Sequence, residues 1–197
     1  MARKKVIVGI SGASGAIYGI RLLEVLHLDP EIEIHLVVSG QAKKTISIET
    51  IWTPKQVEEM AAFVYDNADL GAAISSGSFK TLGMVIAPCS IKTMGSIAMS
   101  LNDNLLTRSA DVSLKERRKL VMVVRETPLH LGHLRSMVSL TEMGAVILPP
   151  VPAFYHLPKT LDDVINQTIG KVLDQLDIDH ELFHRWSGVE TLSRKLP

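Results

Sequence analysis

Three stretches of this 197-residue chain have the residue types and spacing to hold an anion. In the first, Gly9-Ile10-Ser11-Gly12-Ala13-Ser14-Gly15 separates an apolar β-branched run from a helix-like pattern, Ile17, Ile20, Leu23 and Leu26. A strand, a small-residue loop and a helix start, in that order, are how α/β proteins build a phosphate site. The first helical N–H groups are unpaired and carry partial positive charge, and glycine lets a phosphate approach them closely. Ser39 closes a second strand-like run. A third ends in Pro88-Cys89-Ser90-Ile91-Lys92-Thr93, where hydroxyls and a lysine meet another helix start. Alone, that last motif reads equally as an N-cap serine beside a solvated lysine. Three hydroxyl-bearing strand ends in one sheet favour a shared pocket.

The spacing narrows the anion. A dinucleotide fingerprint reads GxGxxG, whereas Gly9, Gly12 and Gly15 fall at three-residue intervals. A ribose-binding acid is also missing from Val37-Val38-Ser39-Gly40. No GxxxxGK loop followed by Ser or Thr is present. A mononucleotide such as FMN, with one terminal phosphate, suits short Ser/Gly loops, and another phosphorylated ligand stays open.

The elements that must position these residues alternate along the chain. Strand-like runs cover 6–10, 32–38, 84–87, 120–124 and 145–148, and helical patterns cover 16–27, 41–48, 54–64, 91–101, 129–143 and 161–176. Thr53-Pro54-Lys55-Gln56 combines an N-cap, proline at the first helical position and a capping-box Gln, and Thr160 precedes Asp162 and Asp163 in a first turn. Alternating strands and helices imply a single α/β domain, Rossmann-like (flavodoxin-like), with a doubly wound, mainly parallel sheet. Ligands in such sheets sit beyond the carboxyl ends of the strands. The domain is expected over 1–188, followed by a tail at 189–197. The stiff Pro149–Tyr155 loop is a candidate for a cis X-Pro bond.

Composition sets limits. Formal net charge is +0, so no global field recruits nucleic acid or an anionic membrane. No apolar stretch approaches the length of a membrane span. Met1-Ala2-Arg3-Lys4-Lys5 resembles a signal n-region, but Gly and Ser soon cut the apolar run that follows, so a cytoplasmic protein is the expectation. The single cysteine, Cys89, fits a reducing compartment and reads as a small buried thiol. The run 115–119 (KERRK) reads as a solvated helix face or as a local anion site. His180-Glu181-Leu182-Phe183-His184 matches HExxH formally, and Glu190, the nearby third-ligand candidate, is separated from it by Gly188. An amphipathic C-terminal helix with Leu182, Phe183 and Trp186 docked on a subunit is the simpler reading. His130 and His133 start a helix near a pocket, with metal binding alongside Glu126 the sharper alternative.

Together with the opening loop, residues 76–93, Leu105–Asp111, Val124-Arg125-Glu126-Thr127-Pro128-Leu129-His130 and Pro149–Tyr155 make the chain resemble the UbiX family of flavin prenyltransferases. Members of that family formerly went by the name of aromatic-acid decarboxylases. The resemblance runs from about residue 4 to about residue 188. It implies transfer of a dimethylallyl group from dimethylallyl monophosphate to N5 and C6 of reduced FMN, which is a substrate, with loss of phosphate and no metal. The prenylated FMN then serves a UbiD-type decarboxylase. Members assemble as homo-oligomers, usually dodecamers, with active sites between subunits.

The resemblance also assigns residues. Gly12, Ala13, Ser14, Ser39, Ser90, Ile91, Lys92, Thr93 and Arg125 would contact FMN. Lys115, Arg125, Tyr155 and Lys171 would hold the dimethylallyl phosphate. Ser14, Glu49, Glu126 and Trp186 would be catalytic, the carboxylates by proton transfer and Trp186 as an aromatic face beside the prenyl group. Lys171 stands where some members carry Arg, a point charge in place of a bidentate fork. From the residues alone, Glu49 also reads as a helix-end surface acid, Tyr155 as loop packing and Lys171 as a snorkelling lysine. An FMN carrier serving a decarboxylase, and a decarboxylase in its own right, are the alternative functions.

Overall fold

A computed structural model describes residues 3–186 and Gly188. Along the chain the elements are β1 (Lys4–Ile10), α1 (Ala16–His27), β2 (Ile32–Val38), α2 (Gly40–Glu49), α3 (Pro54–Glu58) and β3 (Phe63–Tyr65). After a short 3-10 turn at Ala73–Ser75 come β4 (Gly83–Cys89), α4 (Ile91–Ala98), α5 (Leu105–Lys115), β5 (Lys119–Val124), α6 (Leu131–Glu142), β6 (Val146–Ile147) and α7 (Leu161–Gln175). The six strands form one sheet in the order β3-β2-β1-β4-β5-β6, and every neighbouring pair is parallel. From β1 the chain winds outward to β2 and β3, then returns to β4 on the other side of β1. The winding therefore reverses between β1 and β4, which opens a crevice at their carboxyl ends.

Both faces of the sheet are covered, so its strands read as unbroken apolar runs. Side chains alternate between two cores. Val6, Val8 and Ile10 face α1, α2 and α7, and Ile7, Met84 and Ile86 face α4, α5 and α6. Helix α1 lays a stripe of Gly19, Ile20, Leu23 and Leu26 against the first core. Gly19 is there for closeness, since a Cβ on it would overlap the carbonyl oxygen of Ala87 in β4. Both anticipated helix starts are capping boxes, at Thr53 with Gln56 and at Thr160 with Asp163. Among the described residues no helix is long and apolar enough to cross a membrane.

Five local expectations are corrected. The helix expected over 54–64 stops at Glu58, and Phe63–Tyr65 becomes the edge strand β3. His35 of β2 draws it in: Phe63 stacks on the imidazole at 4.9 Å, and the Tyr65 hydroxyl lies 2.9 Å from Nδ1. Cross-strand partners of this kind override local helix preference. Helix α5 was not anticipated as an element. The basic run at its end is no helix face: α5 closes at Lys115, Arg117 turns with φ of 57°, and Lys119 opens β5. Arg118 donates instead to the carbonyls of Phe79 and Gly77. Residues 179–186 form no helix and return along α7 as an irregular segment, with Phe183 against Gly170. Cis peptides join Ala87–Pro88 and Thr127–Pro128, and none lies in the Pro149–Tyr155 loop. The expected tail at 189–197 lies outside the described residues.

Gly19→Ala should destabilise the protein by about 1–3 kcal/mol through overpacking. Gly95→Ala in α4, where a Cβ meets nothing within 4 Å, should gain about 0.5–1 kcal/mol. Urea unfolding midpoints moving in opposite directions would bear this out, and a neutral Gly19→Ala would refute the close approach.

Candidate functional site

The crevice is held in shape by one buried hydroxyl. Ser11 Oγ donates to the Pro88 carbonyl at 2.9 Å and accepts from the Ser90 N–H at 2.7 Å. The Ser11 N–H also reaches the Pro88 carbonyl, at 3.2 Å, so the end of β1 is stitched to the end of β4. On either side, the Ser39 N–H donates to Ile10 and the Arg125 N–H donates to Cys89, which aligns the ends of β2 and β5 with the same edge.

Three helices begin at this edge, each with a side-chain cap. Ser39 accepts from the Ala42 N–H at 3.1 Å, Ser90 from Thr93 at 3.3 Å and Asn104 from Thr107 at 3.1 Å. A cap satisfies one of the orphan N–H groups and leaves others for a ligand. The three starts border a cavity of about 540 Å³, which Gly12, Lys44, Asn67 and Lys92 also line. Helix N-termini and two lysines suit it to a phosphate-bearing ligand. A Cβ on Gly12 would collide with Gln41. Ile91 packs against the core on its own face of the sheet and does not line the cavity. Ala13 is likewise buried.

The start of α1 is a different kind of place. Gly15 caps it in a left-handed conformation, φ 94°, without a side-chain bond of its own. The Glu49 carboxylate arrives from the end of α2 and accepts from the N–H groups of Gly15 at 2.7 Å and Ala16 at 3.4 Å. Burial pushes the Glu49 carboxyl up, but the Gly15 N–H, the Ser14 hydroxyl, the Ala16 N–H and the Arg125 guanidinium together hold it below its ordinary value. The first loop therefore does not present α1 to a phosphate, as its sequence suggested. An internal carboxylate already occupies that terminus, and the free helix starts are those of α2, α4 and α5. Arg125 also faces Tyr18, whose hydroxyl burial pushes up while the arginine draws it down.

The remaining anticipated residues fall into separate places. Glu126 is exposed next to Arg125 and accepts from the Thr127 N–H at 3.0 Å. Tyr155 and Trp186 meet edge to face at 5.8 Å. Lys171 lies about 15 Å along α7 from its start, its Nζ 3.7 Å from Asp174. Lys115 is at the far edge of the sheet. Lys119 pairs with Gly83, the first residue of β4, so residues 115–119 lie about 20 Å from Cys89 at its other end. Lys115 instead pairs with Glu116, and it does not reach the cavity of its own chain.

Other motifs lose their chemical readings. His180 and His184 share no helix face, and Glu190 lies outside the described residues. His130 caps α6, its Nδ1 accepting from the Gly132 N–H, and its ring lies tilted against that of His133 at 3.6 Å. The Cys89 thiol is fully buried, and burial pushes its pKa far up. Sequence reasoning missed Ser11, Lys44, Asn67, Asn104 and Thr107. Asn104 was findable, as an N-cap residue before the apolar periodicity of Leu105, Leu106 and Ala110. Asn67 was not, because its role is to accept the N–H of Leu106, 39 residues away.

A family model described as Flavoprotein matches residues 1–178. The chain is 61% identical over 187 residues to a protein of Escherichia coli (strain K12) named flavin prenyltransferase UbiX, which covers 94% of this chain and 99% of that one. A solved structure described as a dodecameric FMN-dependent Ubix-like decarboxylase from Escherichia coli O157:H7 matches with a TM-score of 0.92 at 47% identity, over 93% of this chain and 100% of that chain. The structure of AnUbiX in complex with FMN and dimethylallyl pyrophosphate also gives a TM-score of 0.92, at 46% identity, over 95% and 99% of the two chains.

The Glu49 geometry has a pH signature. A carboxyl with a depressed folded value stabilises the fold fully above its unfolded value, near 4.5, and loses that contribution as pH falls through the folded value. NMR titration should place the Glu49 midpoint below 4.5, and Glu49→Gln should remove this part of the acid dependence of stability. A midpoint at or above 4.5 would contradict the cap.

Proposed function

Since the chain belongs to the flavoprotein family and, within it, to the UbiX-type flavin prenyltransferases, we propose that it joins the dimethylallyl group of dimethylallyl monophosphate to N5 and C6 of reduced FMN and releases phosphate. The observation that carries this reading is the presence of two distinct anion-handling clusters on one sheet edge. One is the trio of helix starts with Lys44 and Lys92, which suits the phosphate of FMN. The other is the Arg125 guanidinium, which lies near enough to Glu49 to lower its carboxyl and suits a second phosphate. FMN supplies the nucleophilic ring atoms of the reaction. Gly12, Ala13, Ser14, Ser39, Ser90, Ile91, Lys92, Thr93 and Arg125 are its proposed contacts.

The protein's own contribution is charge placement. Phosphate leaves readily only when its developing charge meets fixed cations and donors, each worth about 3 kcal/mol when well aimed. In this reading Arg125, Lys115, Lys171 and the Tyr155 hydroxyl supply them. Glu49, held ionised, is suited to accept a proton through Ser14, whose hydroxyl already donates to it. Glu126 is the second candidate proton carrier. Trp186, packed on Tyr155, offers an aromatic face to positive charge developing on the allyl group.

Lys115 lies too far from its own chain's cavity, so neighbouring copies in a homo-oligomer, a dodecamer in this reading, supply it. The product then passes to a UbiD-type decarboxylase in the cytoplasm.

Anaerobic incubation with reduced FMN and dimethylallyl monophosphate should yield a flavin heavier by the prenyl group and one phosphate per turnover. An unchanged flavin mass without phosphate release would refute the reaction. Arg125→Ala should lower kcat/KM about 100-fold, the equivalent of one such donor. Oligomers co-assembled from Lys115→Ala and Arg125→Ala subunits should regain about a quarter of the sites, each single variant being nearly inactive. No recovery would place Lys115 outside the site.

A further inference from the structure

One carboxylate on the outer face of α7 gathers three basic groups. Asp174 accepts from Arg185 at both oxygens, Nη2 to Oδ1 at 2.7 Å and Nη1 to Oδ2 at 3.2 Å. His180 Nε2 lies 3.2 Å from Oδ1, and Lys171 Nζ lies 3.7 Å from Oδ2. The Leu182 N–H donates to His180 Nδ1, so in the neutral ring the proton is on Nε2 and points at Asp174. The His180 side chain is 2% exposed and that of Asp174 21%. Burial pushes the Asp174 carboxyl up, but Arg185 and His180 outweigh it and keep the group below the usual carboxylate range.

This cluster ties down a segment that lies outside the regular structure. Residues 178–186 belong to no helix or strand, so no backbone ladder anchors them. Phe183 fills the space over Gly170, where any Cβ would overlap it, and Leu182 packs against the first core. Ile178 packs on the same core and its N–H donates to the Leu173 carbonyl, and the fork from Arg185 to Asp174 ties the immediate sequence neighbour of Trp186. Trp186 in turn sits edge-on to Tyr155. A paired guanidinium–carboxylate fork fixes direction as well as distance, which a lysine in place of Arg185 would not.

We propose that Asp174 is a positioning residue for prenyl-donor binding: through Arg185 and His180 it fixes the segment that carries Trp186 against Tyr155, and it steadies Lys171 on the same helix. The proposal rests on the reading of Tyr155, Lys171 and Trp186 as donor-site residues. Asp174 touches no substrate in this scheme, and the FMN cavity on the strand ends is built without it.

The test uses the full chain carrying Asp174→Asn, Arg185→Lys or Trp186→Ala. Asp174→Asn and Arg185→Lys should each speed amide hydrogen exchange over 178–186 about tenfold. Each should also raise the KM for dimethylallyl monophosphate about tenfold, while FMN affinity stays at the wild-type value. Asp174→Glu, which keeps the fork, should recover part of both effects. Unchanged exchange in Asp174→Asn overturns the proposal, as does a wild-type KM in that variant when Trp186→Ala raises it. If Asp174→Asn does not fold, Arg185→Lys carries the same two measurements. If Trp186→Ala itself leaves the donor KM unchanged, the assignment of the donor site has failed, and the exchange data alone still decide whether Asp174 holds the segment.

Discussion

The hydrogen bonds of Ser11 set the relation between the two halves of this molecule. A parallel sheet that winds outward in both directions from its centre leaves β1 and β4 side by side with their following loops heading to opposite faces. Nothing in the sheet ladder itself fixes those loops. Ser11 does so by donating to Pro88 and accepting from Ser90, with its own N–H directed at the same carbonyl. The groups on either side of the β1–β4 boundary lean on that stitch: Gly12 and Ser14 on one side, the capped start of α4 on the other. A serine serves because its hydroxyl can give and take one bond at once in a space closed to water.

Around that point the charges are divided between two duties. The start of α1, the terminus nearest to the Gly/Ser loop, is neutralised internally by Glu49. The starts of α2, α4 and α5 keep orphan N–H groups over an open cavity. The same helix-end electrostatics thus produce a structural ion cap in one place and a cavity suited to an anion a few residues away. The difference lies only in which terminus a carboxylate from the same chain can reach.

Much of the fold was legible because it depends on local pattern. The β-branched runs of β1, β2 and β4, the apolar stripe of α1 and the capping boxes at Thr53 and Thr160 declare themselves within a few residues. What depends on a distant partner did not show. Phe63-Val64-Tyr65 is a strand because His35 is there to receive it. Asn67 matters because α5 starts beside it, and Glu49 matters because the α1 terminus lies within its reach. The resemblance supplied residue roles, but it could not say that Lys115 stands at the far edge of its own sheet. Sequence reports which groups exist, and distances decide which of them meet.

Cys89 shows what the packing of the crevice floor means for chemical durability. Reduced flavins react with dioxygen and release hydrogen peroxide, which attacks thiolates in preference to thiols. The chain's single cysteine ends β4 and directly precedes Ser90, which lines the proposed flavin cavity. It is fully enclosed, and enclosure keeps its sulfur protonated. A protein that handles an oxygen-sensitive substrate thus keeps its own most oxidisable atom in an unreactive form at the place where peroxide would arise.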